Sequence, residues 1–184
     1  MYPPESGRAD AGHVREETAS SLPGTDQELP FAGAPKVDDT KRFQSDPCQA
    51  LTGDLVRCLA KAPTGKLRKD APLGRACTWT NPDTGAEVEI HFLDKDPRGL
   101  SAQYQTKDRY AYFDELPPIE GYPAIAAAVA DDRSIGLCMV SVGASDETTF
   151  IVPIRLSQVN IGTKDPCDVA AMVAGKALQT MKKN

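Results

Sequence analysis

The sequence predicts an α+β domain: a mainly antiparallel sheet of five to six strands packed against two main helices and stapled by disulfides. Three observations predict this class. Several segments alternate apolar and polar residues with turn residues between them, which is typical of antiparallel strands. The sequence Asp-Pro-Cys occurs twice, ending at Cys48 and Cys167, each time before an apolar run at helical spacing. Five cysteines occur without the spacing of a zinc site.

Composition divides the chain near residue 40. The first 39 residues hold eight of the 26 acidic residues but only three of the 21 basic ones, and they are poor in apolar residues. Such a segment cannot bury enough surface to offset the entropy of ordering. We therefore predict a disordered acidic tether over 1–40 and a single α+β domain over 41–184. Since the domain is charge-balanced, no nucleic-acid partner is expected.

The first elements of the domain are a helix and a hairpin. Asp46 can cap a helix that starts at Pro47, restarts near Thr52 and ends near Lys61. Two strands, 76–80 and 86–92, flank a turn rich in proline, aspartate and glycine. In the second strand the apolar residues share one face, so His91 is predicted to lie on the other face and point toward water.

The middle of the chain has a weaker pattern but is rich in aromatic residues. A short helix is predicted over 100–107 and an extended segment over 109–116. Core packing is the ordinary use of such aromatic rings, while a pocket or partner surface is the functional alternative. The candidate ligand or partner surface consists of Tyr104, Tyr110, Tyr112 and Phe113.

A meander and a final helix complete the prediction. Strands are predicted over 123–130, 135–142 and 148–156, with Pro153 favouring an edge strand or a bulge for the last of them. After Asp165-Pro166, apolar residues at i, i+3, i+4, i+7, i+8 and i+11 predict a helix with one face on the sheet. They are Ala170, Val173, Ala174, Ala177, Leu178 and Met181.

The cysteines indicate where the protein resides. Cys48 and Cys167 begin helices while Cys77 and Cys138 lie in strands, so each helix start could be joined to a strand. Disulfides persist outside a reducing cytoplasm, which predicts an extracytoplasmic location. Cys58 lies on the apolar face of the first helix and is expected to be a buried free thiol, although a bond that uses Cys58 stays open.

The sequence contains none of the common catalytic motifs that we considered. The sequence lacks a nucleophile elbow, a zinc-protease helix and the Ser-x-x-Lys motif. We predict no catalytic residue, no metal site and no cofactor. Paired carboxylates stay open as an alternative, and the acids available for it are Asp114, Glu115, Asp131 and Asp132.

Several short motifs, taken in order, resemble a known family. They are the two Asp-Pro-Cys helix starts, Cys77-Thr78-Trp79, Gly121-Tyr122-Pro123-Ala124 and the strand Cys138–Val142. This set, spanning about 46–178, resembles actinobacterial lipoproteins of the domain of unknown function 3558 family. The resemblance implies an export signal and a lipid-modified cysteine upstream of residue 1. It also implies that the family's four cysteines correspond to Cys48, Cys77, Cys138 and Cys167, with Cys58 as a departure.

The expected function is that of a non-enzymatic cell-envelope lipoprotein domain. It would be a monomer, held at the outer face of the membrane by its lipid, and would bind an envelope protein or a small apolar or glycan ligand. One alternative is an envelope hydrolase or transferase. Another is a sensor or accessory domain for a membrane partner.

Overall fold

The computed structural model describes residues 36–37, 40–61, 64–93 and 95–183, with the side chains of 58–60 left out of the description. The predicted tether therefore lies outside the described residues, apart from Lys36, Val37 and Thr40. These residues belong to the fold: Val37 is buried and its N–H donates to the Ala144 carbonyl at 3.0 Å. The expected burial of the Cys58 thiol concerns one of the side chains that are left out of the description.

The described part of the chain forms one antiparallel sheet of seven strands with four α-helices, which confirms the predicted fold class with a slightly higher strand count. The helices are α1 (Thr40–Ser45), α2 (Gly53–Ala60), α3 (Ser101–Tyr104) and α4 (Pro166–Lys182). The strands are β1 (Lys66–Arg68), β2 (Ala76–Thr80), β3 (Glu87–Leu93), β4 (Tyr112–Ile119), β5 (Tyr122–Ala128), β6 (Leu137–Gly143) and β7 (Thr149–Arg155). Their order across the sheet is β1-β2-β3-β7-β6-β5-β4.

One face of the sheet carries the main core. Helix α4 begins where the Asp165 carboxylate accepts hydrogen bonds from the N–H groups of Cys167 and Asp168, which satisfies two donors that the helix itself cannot pair. Its predicted apolar stripe is fully buried against the sheet, together with residues of α1 and α2. The same core contains Phe92 and Phe150, whose ring centroids lie 5.8 Å apart.

Two disulfides join helix starts to strands. Cys48, in a 3₁₀ turn before α2, is bonded to Cys77 of β2, and Cys167 in the first turn of α4 is bonded to Cys138 of β6. Each bond spans 29 residues. In the chain-entropy model a loop of that length contributes about 3.6 kcal/mol. Since small domains have net stabilities of about 5–15 kcal/mol, the two bonds together form a large part of the total.

Two predictions about strands are wrong. His91 is 6% exposed rather than solvated, because β3 lies inside the sheet between β2 and β7 and both of its faces are covered. Pro153 lies in β7, which is also an internal strand. The pairing of β3 with β7 is interrupted opposite Pro153 without a change of register, which accommodates the missing N–H of proline.

Candidate functional site

Three of the four predicted aromatic residues meet on the sheet face opposite α4. Tyr104 and Phe113 stack edge to face with ring centroids 4.9 Å apart, and Tyr110 lies 5.7 Å from Phe113. All three rings are partly buried and pack against a small cluster of Leu100, Ile125 and Ala127. We call Tyr104, Tyr110 and Phe113 the aromatic patch. Phe113 belongs to β4, which is an edge strand of the sheet.

Tyr112 is separated from the aromatic patch. It precedes Phe113 in β4, and successive residues of a strand point to opposite faces. Its ring is buried in the main core, its hydroxyl lies 3.6 Å from Cys138 Sγ, and the Arg133 guanidinium lies 4.1 Å above the ring. The structure therefore places Tyr112 beside a disulfide, apart from the other three aromatic residues.

A carboxylate lies at the polar edge of the aromatic patch. Burial raises the pKa of the Tyr104 hydroxyl to about 12, and the charge of Glu115 and a hydrogen bond to its carboxylate act in the same direction. The phenol therefore stays protonated and donates to Glu115 at neutral pH. The patch thus offers apolar rings together with a fixed hydrogen-bonded pair.

A buried polar cluster lies on the same face of the sheet, nearer β1. His91 Nε2 donates to one oxygen of the Glu89 carboxylate. The other oxygen accepts from Thr78 Oγ1 at 2.5 Å and from Arg68 Nη1 at 3.2 Å. The side chains of Glu89 and His91 are only 10% and 7% exposed. Burial alone would raise the pKa of Glu89, but the hydrogen bonds from His91 and Thr78 and the charges of His91 and Arg68 lower it overall.

Two buried polar atoms on this face have no hydrogen-bond partner in the described part of the chain. They are His91 Nδ1 and Thr149 Oγ1. An unsatisfied buried polar group costs about 1–3 kcal/mol. The two atoms belong to adjacent strands, β3 and β7.

The sequence reasoning missed this cluster because alternation assigns residues to two faces but does not show whether both faces are buried. A signal was present in the strand pairing, since Thr78 lies directly opposite Glu89 in the hairpin. A carboxylate and a hydroxyl that lie directly opposite each other on paired strands are close enough to form a hydrogen bond.

A groove of about 720 Å³ opens where β3 ends and β7 begins. Its lining is mostly polar and includes Lys36, Thr40, Lys41, Gln44, Asp96, Glu147 and Thr148. Leu93 of β3 and Val37 form the apolar part of its wall. The volume falls within the range of small-molecule sites in proteins.

Two of the four acids considered for catalysis bind the same arginine. Asp114 and Asp131 both bind Arg133, at 2.8 and 2.7 Å. The hydrogen bond from Arg133 lowers the pKa of Asp131, which keeps it ionised. Across the described residues, no group of three or more histidine, cysteine or acidic side chains is arranged to hold a metal ion. Nor is any described helix long and apolar enough to cross a membrane.

The fold and these features define a disulfide-braced α+β domain with an aromatic patch and a buried polar cluster on one face of its sheet. A family model described as "Protein of unknown function (DUF3558)" matches residues 5–180, and the chain belongs to this family. No curated protein and no solved structure matches the chain. The family assignment made from the cysteine and helix-start motifs is confirmed.

Proposed function

We propose that this chain is a non-enzymatic binding module of the cell envelope, held by a lipid at the outer face of the membrane, and that it contacts its ligand or partner through the aromatic patch. The single observation that carries this proposal is the clustering of Tyr104, Tyr110 and Phe113, only partly buried, on the face of the sheet opposite α4.

The location rests on the disulfides. Two bonds that each close a 29-residue loop suggest an oxidising, extracytoplasmic environment, because cytosolic thiols are kept reduced. The lipid anchor is proposed from the resemblance to lipoproteins. Determining the sequence encoded upstream of residue 1 tests it: a signal segment ending in a cysteine is expected, and its absence would contradict the anchor.

The aromatic patch suits recognition for two physical reasons. Tyrosine and phenylalanine supply large apolar contact area at low entropic cost, and tyrosine is enriched at interfaces because its hydroxyl can also hydrogen-bond. The patch is also held firmly, since Phe113 belongs to β4 and the rings pack on one another and on Leu100. Little ordering entropy would be lost on binding.

Photo-crosslinking in cells that express the native gene tests the proposal. A benzoylphenylalanine placed at Tyr110 should form a discrete adduct whose mass assigns the ligand to protein, glycan or lipid. The same residue placed at Val159, which is 80% exposed and lies outside the patch, is the matched control.

Phe113→Ala should lower the adduct yield at position 110 by at least about tenfold, which corresponds to about 1.4 kcal/mol. A circular dichroism melt of this variant checks that it is folded. An adduct that forms equally at positions 110 and 159, or that survives Phe113→Ala unchanged, would contradict the proposal.

A hydrolase or transferase receives no support from the acids that it would use. Asp114 and Asp131 are salt-bridged to one arginine, and their side chains are 54% and 43% exposed. A general acid for glycoside chemistry needs a raised pKa, whereas the pKa of Asp131 is lowered.

A further inference from the structure

The pairing between β5 and β6 ends before the strands do. The paired residues are Ala124–Ala126 and Val140–Val142, yet β5 continues to Ala128 and β6 begins at Leu137. Strand β6 stays paired with β7 as far as Leu137, so it is β5 that separates from its neighbour. The sheet therefore opens between the end of β5 and the start of β6.

A pocket of about 210 Å³ lies at this opening. It is lined by Leu137, Met139 and Pro153, which lie on the sheet face opposite α4, because the residues that alternate with them along β6 and β7 belong to the main core. Met139 and Pro153 lie directly opposite each other in the pairing of β6 with β7. Ala128 and Ala130, whose side chains are small, form another part of the wall. The pocket is therefore mostly apolar.

The apolar surface continues at the rim of the pocket. Val129 and Ile135, in the connection between β5 and β6, are 77% and 56% exposed. Val129 lies between the two lining alanines in the sequence, and Ile135 lies two residues before Leu137. Exposed apolar side chains beside an apolar pocket are typical of a binding site. Met139 suits such a site because a flexible thioether adapts to ligands of different shapes.

The volume of the pocket limits the size of a ligand. An engineered apolar cavity of about 150 Å³ binds benzene, so a pocket of about 210 Å³ accommodates an aromatic ring with a short substituent. Water gains little here, because a well-held water makes about three hydrogen bonds and the polar side chains of the lining are those of Tyr112 and Asp132. The Tyr112 hydroxyl already lies 3.6 Å from Cys138 Sγ. Displacing water from these walls by an apolar group is therefore favourable.

Asp132 determines the charge of the pocket. It is the one charged residue of the lining in the described part of the chain, and its side chain forms no capping hydrogen bond. The neighbouring cation is already engaged, because Arg133 binds Asp114 and Asp131. The pocket therefore favours a ligand with an ammonium group over one with a carboxylate. Since Asp132 is exposed, water screens its charge and keeps this preference modest.

We propose that this pocket binds a small apolar amine. The apolar group, about the size of an aromatic ring, packs against Met139 and Pro153, and the ammonium group lies near Asp132. The pocket shares no residue with the aromatic patch, so this inference does not depend on the function proposed for that patch.

Methionine methyl resonances of the full chain test the site. The sequence contains four methionines, Met1, Met139, Met172 and Met181, so three of them are internal controls in every spectrum. Titration with benzylamine should shift the Met139 methyl resonance saturably. Met172, which is 43% exposed on α4, should not shift and reports on non-specific adsorption. Methylamine, which lacks the ring, should leave Met139 unchanged, and benzoate should bind at least about threefold more weakly than benzylamine.

Two variants locate the ligand. Asp132→Asn should bring the affinities for benzylamine and benzoate to within about twofold of each other, and it should not disturb the fold because this carboxylate is exposed and caps nothing. Leu137→Gln places a polar group in the wall and should weaken benzylamine binding at least about fivefold. Leu73→Gln, at a leucine that is 49% exposed and lies outside the pocket, is the matched control. A circular dichroism melt of each variant checks that it is folded.

The ligand class and the pocket can fail separately. Benzoate that binds the parent chain as tightly as benzylamine, or a preference for benzylamine that survives Asp132→Asn, would overturn the amine. A saturable shift of Met139 with methylamine would overturn the apolar group. The pocket itself would be overturned by benzylamine that produces no saturable shift of Met139, by an equal shift of Met172, or by binding that folded Leu137→Gln leaves unchanged.

Discussion

Replacing Glu89 by glutamine should destabilise the domain in a pH-dependent way. The change keeps the size of the side chain but removes the negative charge with which three neighbouring side chains interact. Glu89 accepts hydrogen bonds from His91 and Thr78 and pairs with Arg68, and its own side chain is only 10% exposed. In the variant the amide oxygen can still accept from Thr78 and Arg68, while the amide NH₂ must face the N–H of His91 Nε2.

The magnitude follows from these contacts. A hydrogen bond to a charged group is worth about 1.5–3 kcal/mol, and one such bond is lost. The Arg68 side chain is 46% exposed, so water screens its charge. Its ion pair with Glu89 therefore contributes less than about 1 kcal/mol to the free energy of unfolding. We expect Glu89→Gln to lower the free energy of unfolding by about 2–3 kcal/mol at pH 7.

The pH dependence has a definite sign. The pKa of Glu89 in the folded state is lowered from its ordinary value of 4.5. The carboxylate therefore contributes its full stability above that value and loses it as the pH falls through the lower folded pKa. Urea denaturation of both proteins at pH 7 and pH 3 should show a smaller difference at pH 3. The reasoning is refuted by a variant within about 0.5 kcal/mol of the parent at pH 7, the range of ordinary surface substitutions, or by an equal difference at both pH values.

Three further stability predictions can be measured by the same denaturation experiment at pH 7. The double variant Cys138→Ala and Cys167→Ala should lose about 3.6 kcal/mol, because it opens a 29-residue loop, and a loss below 1 kcal/mol would contradict the entropic account. Asp165→Ala removes the acceptor of two N–H groups at the start of α4 and should cost about 1 kcal/mol; an unchanged midpoint would argue against this capping role. Phe150→Ala should cost about 3–5 kcal/mol because the ring is fully buried, whereas Val159→Ala, at an exposed position, should stay within about 0.5 kcal/mol; similar losses in both would contradict the assigned core.

Elements with strong local signals were predictable from the sequence. The strand pair β2–β3 follows from a proline- and glycine-containing turn between two apolar segments, and α4 follows from an Asp-Pro start and an apolar stripe. These signals involve residues close in the chain. These elements are therefore expected whichever fold the rest of the chain adopts.

Features set by distant neighbours were not predictable in the same way. The position of β3 inside the sheet depends on its pairing with β7, some sixty residues away, so neither this position nor the burial of His91 follows from the local alternation of residues. Similarly, Pro153 reads as an edge-strand residue until its partner strands are known. The three-residue strand β1 was missed because it is too short to show a period.

The candidate surface was partly predictable. The segment 104–113 concentrates aromatic residues, and three of them cluster as its composition suggested. Separating Tyr112 from Phe113 needed only the alternation of an extended strand. The placement of His91 and Thr149 on adjacent strands could not be predicted, because it arises only from the long-range pairing of β3 with β7.

Chemical mapping of the cysteines in protein recovered from its native cells tests the central claim most directly. An alkylating reagent is added before lysis and again after denaturation without a reductant, so that buried free thiols also react, and the unreduced peptides are then identified by mass. The account predicts two linked peptide pairs, Cys48 with Cys77 and Cys138 with Cys167, and one alkylated cysteine, Cys58. Folded protein carrying five alkylated cysteines would contradict both the braced fold and the extracytoplasmic location.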